Sequence, residues 1–271
     1  MTKQVSLSEA VASVPDGSLL ALGGIALHRS PVAFVGELIR QEKKNLSLIK
    51  TAGALDVDLL ALAKTISSVY AGYIGFEMLG LAPNYRKGVQ NQEIVVHEHA
   101  CASVIAGLRA SIYGVPFQPI NGFTGSDLPE LTGLVKKVTD PFTGRETAVV
   151  PALRPDTTVI HTNIADENGN AFIEGAVYED LLMVKAAKRV IVTTEKIISS
   201  SEWKVRPQVP GFLVEHVVLA EKGAAPGSCA PLYSIDGDAI QQYLQNPAEF
   251  LKKIKDGVEH VQGANRTIAA G

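Results

Sequence analysis

The sequence predicts an α/β fold, with a mostly parallel sheet covered by helices on both faces. Two observations carry that expectation. Short apolar runs of strand length alternate with segments of helical period along most of the chain. The first run, Leu19 to Leu22, stops at Gly23-Gly24, and Ser30-Pro31 then opens a helix. This is the pattern of a buried strand whose carboxyl end meets a glycine turn and a helix N-terminus, where ligands sit in open α/β sheets.

In order, Ser6-Leu-Ser-Glu9 fits a capping box ahead of an Ala/Val helix ending near Val14. An Asp16-Gly17 turn delivers the first strand. Ser30 as N-cap and Pro31 at the first helical position start a helix with Val32, Val35, Leu38 and Ile39 on one face. Leu46 to Lys50 reads as a strand, Asp56 to Lys64 as a helix, and Ser68 to Ile74 as a strand reaching Gly75-Phe76-Glu77. Pro83 to Gln92 is a polar, Gly- and Pro-bearing stretch that carries Arg86 and Lys87. Ile94 to His97 is a fourth strand, and Ala100 to Tyr113 a helix closed by Gly114 ahead of Pro116.

Residues 121–156 are punctuated by glycines and prolines throughout, which predicts a long irregular excursion rather than sheet. Thr157 to Ile164 is again a strand, ending in the turn Ala165-Asp-Glu-Asn-Gly-Asn170. Glu179 to Ala187 reads as helix, and Arg189 to Thr194 as a strand running into Glu195. Phe212 to Ala220 has strand character, and residues 238–256 hold two short helices parted at Asn246-Pro247. Without an internal repeat or separating linker, residues 1–271 are expected to form one domain.

Composition narrows the function. The 271 residues are 46% apolar with a formal net charge of −3, so a large core is expected and nucleic-acid or anionic-membrane partners are not. There is no N-terminal apolar segment and no membrane-length run, which predicts a cytoplasmic protein. Cys101 and Cys229 stand alone, arguing against a disulfide or zinc framework.

Several residues could carry chemistry. Gly23-Gly24 is neither a dinucleotide fingerprint nor a P-loop; it is a tight turn or a ligand cradle. Glu77, Glu98, Glu167 and Glu195 fall where strands end, as solvated loop charges or as acid/base or nucleophilic carboxylates. Glu98 sits between His97 and His99 just before a helix, whose dipole would keep it ionised, and is the best acid/base or water-orienting candidate. The two histidines share a strand face, yet no third ligand is suitably spaced, so no metal is expected. Arg29, after the glycine turn, could grip a carboxylate bidentately, or be a surface arginine. Amides at Gly24 could serve an oxyanion. Cys229 reads as a buried structural thiol.

The motif Asp16-Gly17, an apolar run, Gly23-Gly24, then Arg29-Ser30-Pro31 resembles the N-terminal signature of the A subunit of family I CoA-transferases, glutaconate branch. Glu98 with its helix ending Gly114-Val-Pro116, the Ala165-Asp-x-x-Gly-Asn170 turn, and Ser228-Cys229 ahead of Tyr233 and Asp236 extend the resemblance from about residue 5 to about residue 245. It implies the CoA-transferase (NagB/RpiA-like) fold and pairing with a homologous B subunit, commonly two A plus two B, with the active site between them. In such enzymes a B-subunit glutamate attacks the acyl-CoA and carries CoA until the acceptor acid arrives. CoA is then a thioester substrate, and no permanently bound cofactor is implied.

Asp166-Glu-Asn-Gly169 superficially matches the partner's ester-forming run. Its context is that of the A subunit's own turn, so this chain is expected to lack that glutamate. The resemblance implies that Gly23, Gly24, Arg29 and Glu98 face the acyl side. Ser126, with Asp127, resembles a loop that the family brings towards the acyl group, or is a plain turn. Branches of the family include a methylglutaconyl-CoA decarboxylase, toward whose A subunit this sequence leans, and an acyl-CoA hydrolase. A non-catalytic acyl-CoA-binding scaffold and a sugar-phosphate isomerase of related fold are the alternatives from other classes.

Overall fold

The structure, a computed structural model, describes residues 3–123 and 125–257. Helix α1 (Leu7–Ala12) is capped as its sequence predicts: the Ser6 hydroxyl accepts from the Glu9 amide while the Glu9 carboxylate accepts from the Ser6 amide. Strand β1 (Leu19–Leu22) pairs in parallel with β2 (Leu46–Gly53) on one side and β8 (Thr157–Asp166) on the other. Beyond β2 lie β3 (Ile66–Ile74) and the edge strand β4 (Val95–Glu98). Beyond β8 lie β10 (Arg189–Ile198) and β11 (His216–Leu219), giving the parallel order β11-β10-β8-β1-β2-β3-β4. The short β9 (Ala171–Phe172) turns back antiparallel on β8.

Helices cover both faces, as expected. Leu20, Leu22, Leu46 and Leu48 form one core with α2 (Val32–Arg40), α3 (Leu55–Leu62), α8 (Gly237–Gln245) and α9 (Pro247–Lys255). Ala21 and Ile49, on the alternate positions, pack with α5 (Cys101–Ile112) and α7 (Asp180–Ala186). Strand order reverses between β1 and β8, which makes their carboxyl ends the switch point of the sheet. Among the described residues no helix is long and apolar enough to cross a membrane.

Two local expectations are corrected, and the stretch from Pro83 takes a definite form. Pro31, not Ser30, occupies the N-cap of α2; the Ser30 hydroxyl instead donates to the Ala26 carbonyl and accepts from Lys50. The stretch from Pro83 is helical, forming α4 (Pro83–Gln90). Its cap comes from another helix: Asp58 of α3 accepts from the amides of Asn84 and Tyr85, each at 2.8 Å. The excursion is not irregular throughout. β5 (Phe117–Ile120), β7 (Glu146–Pro151) and β6 (Lys136–Thr139) make a three-stranded antiparallel sheet, with α6 (Leu128–Thr132) between β5 and β6 in sequence. Its glycines mark turns, Gly133 ending α6 and Gly144 closing the hairpin from Asp140.

Candidate active site

At the switch point the chain fills the crevice with its own charges. Gly23 and Gly24 follow β1 as expected, but their amides are engaged: Gly23 donates to the Val159 carbonyl at 2.8 Å and Gly24 to Asp180 Oδ1 at 3.0 Å. Gly24 has φ +69°, and a Cβ there would lie 2.4 Å from the His28 carbonyl, so the turn admits only glycine. Both amides therefore already have partners within the chain. They hold the turn onto β8 and α7.

Arg29 is engaged within the chain likewise. It is 3% exposed, with Nη2 bonded to Asp180 Oδ2 at 2.8 Å and to the Ala176 carbonyl at 2.7 Å, and Nη1 bonded to the His161 carbonyl at 3.1 Å. Tyr178 lies over the guanidinium at 5.5 Å. A guanidinium so engaged ties the chain's own loops together. Lys50, wholly buried, is a second internal cation: its Nζ donates to the Gly23 carbonyl at 2.6 Å and stands 2.9 Å from Asp56 Oδ2, a close ion contact without hydrogen-bond alignment. Asp180 and Lys50 organise this wall, and nothing in the sequence around either marks it out.

Glu98 lies elsewhere. It ends β4, three strands from β1, or about 14 Å at strand spacing, and its side chain is exposed. The structure does not bring Arg29 and Glu98 together. Glu98 stands instead close enough to α4's Tyr85 for its charge, after burial, to help push that phenol up to about 12. Its backbone is fixed from beneath. Ala71 of β3 accepts from the His99 amide, and Gly72 has no Cβ because one would sit 2.5 Å from the Cys101 nitrogen, so α5 starts directly on the sheet. The Ser103 hydroxyl accepts from the Ala100 amide at 3.0 Å and donates to the Ala100 carbonyl at 2.9 Å, closing the turn. The His99 ring, 4% exposed, meets Ser103 Oγ at 2.8 Å. Burial, with His97 nearby, pushes His99 down to about 4. His97 stacks on Tyr70 with ring centroids 4.0 Å apart. Helix α6 lies against β4, so Ser126 and Asp127, which precede it, belong to the Glu98 side of the molecule. Ser126 is exposed and its hydroxyl accepts from the Leu128 amide, a local turn. Beside this rim the loop after β3 exposes Met78, Leu79 and Leu81.

The other strand-end carboxylates are placed differently. Glu77 opens a short 3₁₀ turn after β3. Glu167 is partly exposed and bonded to Ser200, while Asp166 accepts from the amides of Asn168 and Asn170, the local turn the sequence predicts. Glu195 is neither solvated nor free: its Oε1 accepts from His161 Nε2 at 2.7 Å and from Tyr233, and its Oε2 from the Lys222 amide at 2.6 Å. Burial raises its pKa, but those bonds outweigh it and hold the carboxyl below the usual range. Cys229 is buried and its thiol is pushed up to about 12 by burial and Glu195, in keeping with a structural role. Donor atoms of His161, Glu195 and Cys229 lie within 4.8 Å of one another, which sequence spacing could not show. Of the three, His161 and Glu195 are bonded to each other, and Glu195 also to Tyr233.

The site stands on a seven-strand parallel array with its charges buried at the switch point and an exposed, rigidly seated carboxylate on its carboxyl edge. The coenzyme A transferase family model matches residues 4–220, and the chain belongs to that family. It is 36% identical over 248 residues to the A subunit of 3-oxoadipate CoA-transferase from Pseudomonas knackmussii, covering 90% of this chain and 88% of that one. It is 30% identical over 266 residues to the A subunit of glutaconate CoA-transferase from Acidaminococcus fermentans, covering 90% and 82%. An uncharacterized Archaeoglobus fulgidus protein is 33% identical over 268 residues, 94% of this chain, which spans 60% of that relative's length. Among solved structures, the decarboxylase AibA/AibB superposes with a TM-score of 0.87 at 36% identity, covering 94% of this chain and 99% of the other. The family, the fold and the likeness to A-type subunits are thus as the sequence resemblance implied.

Proposed function

We propose that this chain is the A-type subunit of a two-subunit enzyme of the glutaconate branch, acting on an acyl-CoA thioester whose acyl chain carries a second carboxylate. The observation that carries the reading is Glu98, an exposed carboxylate held on a rigid strand-to-helix turn at the carboxyl edge of the sheet. Residues 1–271 act as one domain in the cytoplasm, and CoA arrives as substrate rather than as a resident cofactor. A homologous B subunit, two with two of this chain, closes the second wall over Glu98 and the exposed Met78 and Leu81. Glu98 serves as the acid/base group, and the Ser126 turn approaches the acyl chain from the α6 side.

A decarboxylase of the same architecture is the second reading, favoured by the 36% identity to the decarboxylase AibA/AibB. Co-purification with the B-type partner tests both. CoA exchange between two carboxylic acids marks the transferase, and CO2 release from glutaconyl-CoA marks the decarboxylase. Turnover by this chain alone as a homo-oligomer sinks the two-subunit reading.

A further inference from the structure

With the glycine amides and Arg29 engaged inside the protein, the polar group that the turn after β1 offers outward is His28, which is partly exposed. Its Nδ1 meets Ser228 Oγ at 2.7 Å. Among the described residues Nε2 has no hydrogen-bond partner from the protein. Ser228 is 6% exposed, and His28 is the partner of its hydroxyl. Among the described residues the Ser228 hydroxyl has no other acceptor, so it is assigned as the donor to Nδ1, which leaves the ring as the Nε2–H tautomer. The ring therefore presents an N–H donor to the carboxyl edge.

The seat is rigid on both sides. The Ser228 amide donates to the Leu27 carbonyl at 2.8 Å and its carbonyl accepts from the Arg29 amide at 2.7 Å, so residues 27–29 are laced to residue 228 as a short parallel bridge. Gly227 makes that approach possible, since a Cβ there would lie 2.4 Å from the Leu27 carbonyl. Ala26 and Arg29, which bracket the histidine, both hold left-handed backbone, with φ of 48° and 55°. Such conformations persist where surrounding structure over-determines them, commonly at functional sites. The segment Pro226-Gly-Ser-Cys229, otherwise only a point of resemblance, thereby gains a physical task.

We propose that His28 is a catalytic residue whose Nε2–H binds the carbonyl oxygen of the acyl-CoA thioester and stabilises the negative charge that develops there, with Ser228 as the positioning residue that sets its tautomer. The inference rests on the acyl-CoA reading given above. It supplies the oxyanion donor that the glycine amides do not.

The test has two arms. Long-range proton–nitrogen NMR on the purified chain should show His28 as the Nε2–H tautomer, and Ser228→Ala should shift it toward the Nδ1–H form. An Nδ1–H tautomer in the unsubstituted chain, or ring signals unmoved by Ser228→Ala, overturns the dyad. In the complex with the B-type partner and glutaconyl-CoA, His28→Ala should lower kcat about 10²–10³-fold, the usual effect of losing one oxyanion donor, with KM nearly unchanged. His28→Gln, whose amide N–H falls near the place of Nε2, should recover at least about tenfold of that loss. Turnover by the His28→Ala complex within about threefold of the unsubstituted one removes this inference and leaves the acyl-CoA reading standing. An unsubstituted complex that turns over no acyl-CoA removes that reading, and the inference falls with it.

Discussion

At the carboxyl end of β1 the charges are inside. Arg29 and Asp180 meet at 2.8 Å with side chains 4% and 0% exposed, and Lys50 and Asp56 meet at 2.9 Å, both wholly buried. On the β4 rim the relation is inverted. Glu98 faces solvent, while the groups beneath it, His99 and Ser103, are buried and uncharged. Both regions sit on the same edge of the same sheet, and their sequences look equally promising. Buried ions are tolerable only when paired and hydrogen-bonded, so a fully paired cluster is committed to holding the chain together. A carboxylate that remains in water avoids that desolvation and stays available for a ligand. The contrast ties Arg29 and Asp180 to each other and leaves Glu98 open to solvent.

The strongest way to break that division is Arg29→Met. If Arg29 is a structural cation, its loss leaves Asp180 buried and short of its charge partner, and unfolding stability should fall by about 3–5 kcal/mol. The double change Arg29→Met with Asp180→Leu should cost less than the single one. Urea melts read both. A loss below about 1 kcal/mol for the single change would return Arg29 to the pool of ligand-binding groups.

Next comes the rim's buried histidine. His99 titrates near 4 in the folded chain against about 6.5 when unfolded. Between those values the unfolded state binds more protons, so stability is lost as pH falls from 6.5 through 4 and is fully present above that window. The span is on the order of 3 kcal/mol. Stability measured against pH should flatten over this window in His99→Gln; an unchanged slope would mean His99 is not the buried neutral group beneath Glu98. Smaller again is Gly24→Ala, with about 1–3 kcal/mol from the left-handed backbone alone, more if the His28 carbonyl cannot move away. Equal melting of Gly24→Ala and the unsubstituted chain would show the turn to be looser than its bonds suggest.

What can be read from the sequence is local. The Ser6 capping box, β1 from Leu19 to Leu22, the Asp166–Asn170 turn and the two helices parted at Asn246-Pro247 each depend on residues a few positions apart. The misses depend on distant partners. Helix α4 hides because its cap is Asp58, and the excursion's sheet hides because its strands are short and joined by glycine and proline turns. Arg29 reads as a ligand for anions, and it does bind one, but the anion is Asp180, 151 residues later. Nothing near His28 in the sequence marks it, because its partner Ser228 lies 200 residues away. Residue type gives the kind of bond a side chain can make; only the fold decides whether the protein already makes it.

The smallest stability effect is the one that sharpens the comparison most. Glu98→Gln removes a solvent-facing charge without changing volume, so unfolding stability should move by no more than about 0.5 kcal/mol. Activity of the two-chain complex should nevertheless fall about 10²–10⁴-fold, the range for losing a general acid or base, with KM nearly constant. A check independent of turnover lies in Tyr85, which burial and the Glu98 charge together raise to about 12. In Glu98→Gln the charge contribution disappears while burial remains, so the Tyr85 phenol should ionise at lower pH. An ultraviolet difference titration against Tyr85→Phe isolates that phenol from the other tyrosines. If Tyr85 titrates identically with and without the Glu98 charge, the carboxylate does not sit where the rim places it. If it shifts while kcat stays within about threefold, Glu98 is where the fold puts it but does no acid/base work, and the chemistry must be sought on the partner's side of the cleft.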